Sequence, residues 1–354
     1  LHAINVGFYT KGDGTHHGCF TTTAAGVCSS QNASTVGILG NELWAFIPQE
    51  LLPHLRWLAD PKYTHVSYVD LKPKVTDVKI FCQTASTGVS AGPSTCITGQ
   101  SNTSHHGGWG TIVIGGFRFG GSCGACATSG VGNGKPMTYQ AKFDGSLDQE
   151  RQFYSGYFVM DITNPEEEPK LLWTFTHVDL GFATSYPTVA RVRPHDALGK
   201  TSTTNTFWYA VFGSGPTSYN GNTGQKPKMF FVDLSTGPTA ASSTLNGLVK
   251  TQKGHDSTNN AFFGDVITVD RDLDFRVDAA FAGETFSGSP WHGMMARVTT
   301  GCGAKTSPTC ETDPTNWGVA YATTGGRGAS ILLDNFYDGT GTFNLGAIPQ
   351  APSV

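Results

Sequence analysis

Residues 156–165 have the sequence Gly-Tyr-Phe-Val-Met-Asp-Ile-Thr-Asn-Pro, in which an apolar run ends in an acidic residue and leads into a turn. Residues 228–237 have Lys-Met-Phe-Phe-Val-Asp-Leu-Ser-Thr-Gly, and residues 293–301 have Gly-Met-Met-Ala-Arg-Val-Thr-Thr-Gly. Short β-branched and aromatic runs bounded by turn residues are typical of β-strands. The three segments therefore predict one strand that recurs after 72 and then after 64 residues.

Two more strands precede each copy, always in the same order. A strand that ends in glycine comes directly before it, at residues 112–116, 210–215 and 280–283, and another comes before that, at 73–78, 186–191 and 263–268. Trp44 and Trp173 would close two units as fourth strands, and Leu1–Val6 resembles a third-strand copy. A four-stranded unit repeated around an axis is a β-propeller. A generic β-sandwich is the alternative, but it does not predict similarity strand by strand.

The number of units predicts an incomplete ring. A closed propeller has about four to eight blades, whereas about three complete units fit between Leu1 and Val354. We therefore expect residues 1–354 to form a single, partial, all-β propeller domain of a longer protein. Cys- and Gly-rich loop insertions are expected at about 10–37, 82–110 and 120–152.

One helix is predicted in this all-β pattern, at Gln49–Ala59. Its leucines at positions 51, 52, 55 and 58 recur at roughly helical spacing. The dipeptide Asp60-Pro61 then ends the helix.

The composition excludes several classes of protein. Of the 354 residues, 45 are glycine and only 14% are charged, which is unlike a coiled coil. The net charge of −4 is unlike that of a nucleic-acid-binding protein. The 38% hydrophobic content argues against disorder. The apolar runs are too short for a transmembrane helix, so we expect no membrane span.

Eight cysteines fall into four local couples within loop-like stretches. The simplest interpretation is four local disulfides formed in an oxidising compartment, pairing Cys19 with Cys28, Cys82 with Cys96, Cys123 with Cys126, and Cys302 with Cys310. Metal binding is the alternative. Cys123 and Cys126 form a CxxC motif, but no second CxxC lies at zinc spacing. No helix pattern follows it, which argues against a redox site.

The sharpest chemical motif is Asp270-Arg-Asp-Leu-Asp-Phe-Arg-Val-Asp278, with carboxylates at its first, third, fifth and ninth positions. This is the spacing of the front half of a calcium loop, and a carbonyl at position 7 is a further ligand there. The motif predicts a calcium site made by four carboxylates and one carbonyl, at Asp270, Asp272, Asp274, Asp278 and Arg276. The alternative is a solvated acidic turn that Arg271 and Arg276 neutralise.

The other polar motifs carry less information. The pairs His16-His17 and His105-His106 could bind copper or zinc, but solvated loop residues are the simpler interpretation. Arg327, inside a Gly-rich run, is expected in a loop. The sequence has no Ser–His–Asp order, phosphate-binding loop or dinucleotide fingerprint, so it predicts no enzyme.

Taken together, the motifs resemble the C-terminal propeller domain of the PilY family of type IV pilus tip-associated adhesins and biogenesis factors. The matching residues run in order along nearly the whole chain: Leu1-His-Ala-Ile4, Asn41-Glu-Leu-Trp-Ala-Phe-Ile-Pro48, Leu51-Leu-Pro53, Asp60-Pro-Lys-Tyr63, His65, Tyr68-Val-Asp70, residues 157–165, Leu172-Trp173, Asp179-Leu-Gly-Phe182, Ser185-Tyr-Pro-Thr188, residues 211–215 and residues 232–237. The segment from Asn41 to Pro48 is not a general feature of propellers.

The resemblance implies a modified seven-bladed, quinoprotein-like propeller whose Asp-rich loop binds calcium. Family loops usually carry glycine inside the Asp run, where this chain has Leu273 and Phe275. The implied role is extracellular, at the pilus tip on the cell surface after export through the periplasm. The domain would contact minor pilins and a host or abiotic surface. Calcium occupancy would regulate pilus extension against retraction, with surface attachment as the outcome.

Two other functions are compatible with a propeller. A calcium-dependent periplasmic quinoprotein dehydrogenase would carry a tryptophan signature in most blades, but only Trp44 and Trp173 could serve here, and an adjacent Cys-Cys pair is missing. A carbohydrate-binding propeller is the third hypothesis.

Overall fold

The computed structural model describes the chain except for residues 7, 11–18, 22–39, 62–64, 83–96, 98–104, 124–140, 144–146, 150–153, 165–167, 195–205, 239–249, 252–259, 288–290, 301–312, 321–326, 334–335, 338–341, 344–346 and 350–354. The described part is all-β, as predicted. Its strands are β1 (His2–Ile4), β2 (Phe8–Thr10), β3 (Cys19–Thr21), β4 (Glu42–Ala45), β5 (Lys74–Lys79), β6 (Trp109–Gly116), β7 (Ala141–Phe143), β8 (Leu147–Gln149), β9 (Gly156–Asp161), β10 (Lys170–Thr176), β11 (Thr188–Val192), β12 (Phe207–Gly213), β13 (Met229–Asp233), β14 (Lys250–Thr251), β15 (Ala261–Val269), β16 (Ala279–Phe286), β17 (His292–Thr299), β18 (Val319–Ala320), β19 (Arg327–Leu333), β20 (Phe336–Tyr337) and β21 (Thr342–Phe343).

Three sheets carry most of the fold. The first has the order β5-β6-β9-β10, the second β11-β12-β13, and the third β15-β16-β17-β19 with β14 and β18 also paired to β19. The successive strands of each series pair antiparallel. The repeated strand order predicted from the sequence is therefore confirmed. The arrangement of these sheets as blades of a ring stays a prediction.

The outlying pairs also follow the predicted pattern. β1 pairs antiparallel with β4 and places Ala3 opposite Trp44, as expected for a third and a fourth strand. Trp173 lies in β10, the fourth strand of the first sheet. The remaining two-stranded pairs are β2-β3, β7-β8 and β20-β21.

The prediction of a loop around Arg327 was wrong, because this residue begins β19. The glycines favoured a loop, but the apolar run that follows them pairs with β17. Ala296 lies opposite Ile331, and Met295 lies opposite Leu333. A fourth strand therefore completes the third sheet.

The sheets meet through buried aromatic side chains. The Tyr157 ring of the first sheet stacks on the Phe212 ring of the second, with centroids 4.0 Å apart. Two glycines leave room for other aromatic residues, one within the first sheet and one between the second and third sheets. A Cβ at Gly115 would lie 2.2 Å from the Phe158 ring, and one at Gly213 would lie 2.4 Å from the Phe263 Cβ. Glycine at the end of the second strand is therefore a packing requirement.

Ser185 joins all three sheets by hydrogen bonds. Its carbonyl accepts from the Tyr157 hydroxyl at 2.7 Å. Its own hydroxyl accepts from the Gly213 N–H at 2.9 Å and donates to the Gly264 carbonyl at 2.8 Å. Ser185 is 1% exposed, so these groups have no access to water as a substitute partner.

Replacing this hydroxyl should therefore destabilise the fold. In Ser185→Ala the Gly213 N–H and the Gly264 carbonyl both lose their partner, and we expect the free energy of unfolding to fall by about 2–4 kcal/mol. Urea denaturation followed by circular dichroism measures it. Thr176→Ala, at an exposed position at the end of β10, is the control and should change stability by less than about 0.5 kcal/mol. Equal effects of the two substitutions would contradict this role of Ser185.

The helix predicted at Gln49–Ala59 is confirmed with the same bounds, but it is a 3₁₀ helix with Pro53 inside it. A 3₁₀ helix repeats every three residues, so Leu51 and His54 are both buried, while Leu52 and Leu58 are exposed. The two other described helices, His106–Gly108 and Pro314–Asn316, have one turn each. Among the described residues, no helix combines the length and the apolar character needed to cross a membrane.

His54 introduces an ionisable ring into the core beneath this helix. Both ring nitrogens are buried without a hydrogen-bond partner among the described residues. Burial lowers the pKa of His54 to about 4, because the charged ring cannot be solvated there. The unfolded chain, in which the ring has its ordinary pKa near 6.5, therefore binds this proton first as the pH falls.

We accordingly expect the His54 contribution to stability to be intact above about pH 6.5 and to be lost as the pH falls toward about 4. A shift of this size, from 6.5 to about 4, corresponds to roughly 3 kcal/mol. Urea denaturation at pH 7.5, 6, 5 and 4.5 measures it. His54→Leu should lose less stability over this range than the wild type does. The same substitution at the exposed His65 should leave the acid loss in place, and an unchanged profile for His54→Leu would contradict the assignment.

Candidate metal-binding loop

The Asp-rich segment forms the connection between β15 and β16, from Asp270 to Asp278. Two backbone hydrogen bonds attach its second half to neighbouring strands. The Asp278 N–H donates to the Val269 carbonyl at 2.8 Å, which closes the loop. The Val277 N–H donates to the Arg191 carbonyl of β11, also at 2.8 Å. The loop is therefore fixed to the second and the third sheet.

Three of the predicted carboxylates converge. Asp270, Asp272 and Asp278 each offer an oxygen, and these atoms all lie within 4.8 Å of one another. Backbone donors orient two of the three groups. Asp270 accepts from the Phe275 N–H at 2.8 Å, and Asp278 accepts from the Arg271 N–H at 2.8 Å. Such an arrangement of anionic oxygens can hold a metal ion.

The other two predicted ligands have different contacts. The Asp274 carboxylate accepts from the Arg276 N–H at 2.9 Å and does not belong to the group of three. The buried Arg276 guanidinium lies 3.3 Å from an Asp278 oxygen and donates to the Thr300 carbonyl at 3.2 Å. The sequence predicted a carbonyl ligand at Arg276 and, as the alternative, a neutralising guanidinium. It gave no sign of the contact with Thr300, which is distant in sequence.

The charges of the loop do not cancel. Its four Asp carboxylates carry −4, and Arg271 and Arg276 return +2, so a charge of −2 remains at neutral pH. One divalent cation would neutralise it. The donors are hard oxygen atoms, which suit Ca²⁺, Mg²⁺ or Mn²⁺ rather than soft metals.

The tip of the loop has a strained backbone. Leu273 has φ = 59° and Phe275 has φ = 65°. These are the two positions at which the family resemblance led us to expect glycine. The left-handed region costs an ordinary residue roughly 1–2 kcal/mol, and both side chains are exposed, by 79% and 68%. Leucine and phenylalanine give no sequence signal of such a conformation.

Of the histidine pair at positions 105 and 106, His106 is exposed, as expected for a solvated residue, whereas His105 is not. His105 is almost fully buried, and its Nε2 lies 2.9 Å from an Asp161 carboxylate oxygen. Its ring stacks on Phe81 with centroids 3.8 Å apart. His105 therefore fastens the segment before β6 to the end of β9. His16 and His17 lie outside the described residues.

The described residues do not test the cysteine pairing. Cys82 and Cys123 are each disulfide-bonded, but no bonded partner is described for either. Cys19 lies in β3. Cys28, Cys96, Cys126, Cys302 and Cys310 lie outside the described residues. The four pairings stay a prediction.

Comparison with known proteins supports the predicted resemblance. No protein-family model matches the chain. The chain is 23% identical over 289 residues to a type IV pilus biogenesis factor PilY1 homolog from Xylella fastidiosa, a match that covers 80% of this chain and 14% of that protein. The crystal structure of the Pseudomonas aeruginosa PilY1 C-terminal domain aligns with a TM-score of 0.47 and 20% identity, over 89% of this chain and 45% of the other. The sequence match confirms the resemblance to the PilY family.

Glycine should relieve the strain at the loop tip. We expect Leu273→Gly to raise the free energy of unfolding by about 1 kcal/mol, because only glycine adopts φ near +60° without steric cost. The gain at Phe275→Gly should be smaller, since the ring lies 5.9 Å from the Arg191 guanidinium. Urea denaturation in EDTA measures both without a contribution from bound metal.

The matched control is Leu171→Gly, at an exposed position of β10. Glycine should lower stability there, because it loses more conformational entropy than leucine when the chain folds. A strand position has negative φ, so glycine relieves no strain in return. If Leu273→Gly destabilises as much as Leu171→Gly, the tip is not strained in solution.

Proposed function

We propose that this chain is part of a type IV pilus tip-associated propeller whose Asp270–Asp278 loop binds calcium. The observation that carries the proposal is the convergence of Asp270, Asp272 and Asp278 in a chain that matches a type IV pilus biogenesis factor. The match spans 14% of that protein's length. The role of the whole protein is therefore itself part of the proposal.

The arrangement of the three large sheets supports a propeller. Three antiparallel sheets repeat one strand order and pack on each other through buried apolar clusters, as neighbouring blades do. We propose that residues 1–354 form a single, partial domain of the modified seven-bladed, quinoprotein-like type. The insertions at about 10–37, 82–110 and 120–152 would project from it. A rigid core that presents variable loops suits recognition of surfaces.

Calcium is the ion that the loop suits best. Ca²⁺ accepts six to eight oxygen ligands in a flexible geometry, whereas Mg²⁺ requires a near-ideal octahedron. The three converging carboxylates would supply the first ligands. Asp274 and the Arg276 carbonyl would complete the site by a small rearrangement, since Asp274 is already attached to the Arg276 N–H. Neutralising the residual −2 charge would remove the repulsion among the carboxylates.

The position of the loop suggests how an ion could act on the rest of the protein. Val277 bonds to β11, and Arg276 bonds to Thr300 directly after β17, so an ion would tighten a connection between two sheets. We propose that this change regulates pilus extension against retraction and supports pilus assembly and surface attachment. The partners would be minor pilins and a host or abiotic surface. The role would be adhesive rather than enzymatic, in an extracellular protein with local disulfides.

Calorimetric titration tests the ion directly. We expect the wild type to bind Ca²⁺ with a Kd on the order of 10⁻⁴–10⁻³ M, the range of extracellular modules, and to prefer it to Mg²⁺. Asp272→Asn should weaken binding at least about tenfold, because one charged ligand is lost. Asp272 is exposed, so the substitution should not disturb folding.

Asp77→Asn is the matched control, since Asp77 is an exposed carboxylate of β5 away from the loop. It should bind Ca²⁺ as the wild type does. An equal Ca²⁺ titration for wild type and Asp272→Asn would remove the calcium site from the proposal. Twitching and attachment assays in cells that carry Asp272→Asn would then test the pilus role separately.

A further inference from the structure

A cavity of about 700 Å³ opens where the three sheets meet, and no part of the Asp-rich loop lines it. Its wall includes Asp70 and Lys72 before β5, Arg118 after β6, Tyr186 before β11 and Asp265 in β15. Sites for small molecules typically have ~300–1,000 Å³ and combine apolar walls with a few convergent polar groups. The cavity has this size and this mixture.

Two cations, Lys72 and Arg118, line the cavity, and Lys74 lies beside its Tyr186 ring. The Lys72 and Lys74 ammonium groups lie 5.6 Å and 5.9 Å from the Tyr186 ring centroid. Neither forms a salt bridge with a carboxylate among the described residues. Arg118 donates to Asp70 at 3.0 Å through one terminal nitrogen, Nη1. The other N–H groups of the Arg118 guanidinium can therefore donate to a further oxyanion.

Hydrogen-bond acceptors lie close to these cations. β15 has an irregular register between Phe263 and Val266, and Asp265 lies inside this bulge. Bulges redirect side chains, and here the Asp265 carboxylate accepts from the Tyr186 N–H at 2.6 Å. Its second oxygen has no hydrogen bond among the described residues. Asp265 and Asp70 are therefore available to accept bonds from ligand hydroxyls.

The backbone at the cavity wall is strained as well. Arg118 has φ = 53° and is the remaining described non-glycine residue with positive φ besides the two of the loop tip. The Ser155 hydroxyl fixes it by donating to the Arg118 carbonyl at 3.2 Å. Strain of roughly 1–2 kcal/mol persists mainly where function needs the resulting geometry. Next to it, Phe119 adds an aromatic wall that packs edge-on against Phe182.

We propose that this cavity binds a sugar acid, which is a carbohydrate unit that carries a carboxylate. The carboxylate contacts Arg118 and Lys72. The hydroxyls donate to Asp265 and Asp70, and the ring packs against the aromatic side of the wall. Cations alone would suit any anion, but the neighbouring acceptors and aromatic rings favour a polyhydroxylated ring. The site uses none of the Asp-rich loop, so it stands independently of calcium.

Ligand-observed NMR and calorimetry on the full chain test this, with D-galacturonate and its dimer as probes. D-galactose is the neutral comparison, and inorganic phosphate is the comparison for a bare oxyanion. We expect galacturonate to bind at least about tenfold more tightly than galactose, the size of one charged hydrogen bond. Arg118→Gln and Lys72→Gln should each remove most of this preference. Binding should be equal in Ca²⁺ and in EDTA, which separates this site from the metal loop.

Lys79→Gln is the matched control for Lys72→Gln, because Lys79 is a nearby lysine in β5 that does not line the cavity. It should bind galacturonate as the wild type does. If Arg118→Gln proves unstable in a thermal melt, Lys72→Gln at its exposed position carries the test alone. Equal affinity for galactose and galacturonate overturns the proposal, and so does phosphate binding as tight as that of galacturonate. Absence of galacturonate binding at about 10 mM, roughly ten times a weak Kd of about 1 mM, also overturns the proposal.

Discussion

The hydrogen bonds of Ser185 are the constraint on which the relative placement of the sheets depends. Apolar packing between the sheets is strong but has no direction, and aromatic faces such as Tyr157 and Phe212 could slide over each other at little cost. Three directional bonds at one buried residue remove that freedom. Gly213 and Gly264 contact Ser185 through backbone atoms, and a Cβ would collide with Phe263 at the first position and with Pro349 at the second. The three sheets are thus positioned relative to one another by hydrogen bonds to one residue that lies outside their strands.

Both candidate sites follow from this alignment. Tyr186 comes directly after Ser185, and its N–H holds Asp265 in the bulge of β15. The Asp-rich loop begins where the same strand ends, and Val277 returns from it to β11. The second and third sheets are thus joined at two places along β15, at Asp265 in its middle and through the loop that follows its last residue. Among the described residues, the non-glycine residues with positive φ are Arg118, Leu273 and Phe275. All three are exposed, so this backbone strain lies outside the packed interior.

The sequence was informative wherever chemistry is local. Alternating apolar runs and their turns predicted the strands and their repeated order in the sheets. The spacing of four Asp residues in the loop predicted that all four carboxylates converge, and three of them do so, without Asp274. The sequence could not show features that depend on distant residues. The spacing of the leucines suggested a helix that buries its leucine side chains. The observed helix is a 3₁₀ helix, which buries His54 and leaves Leu58 exposed. The cavity combines Asp70, Arg118, Tyr186 and Asp265, which are distant in sequence and lie in or next to strands of three sheets, and only the fold brings them together.

The shared strand also determines how changes at the two sites should be interpreted. Asp265 and Asp270 are five residues apart, which is about 16 Å along an extended strand, so no single side chain touches both. Substitution of an exposed side chain outside β15, such as Asp272 or Lys72, changes one site and leaves the strand intact. A substitution in the bulge, at Gly264 for example, would collide with the Pro349 carbonyl and disturb β15 as a whole. Simultaneous loss of both sites therefore indicates damage to β15, whereas separate loss indicates two sites with separate ligands.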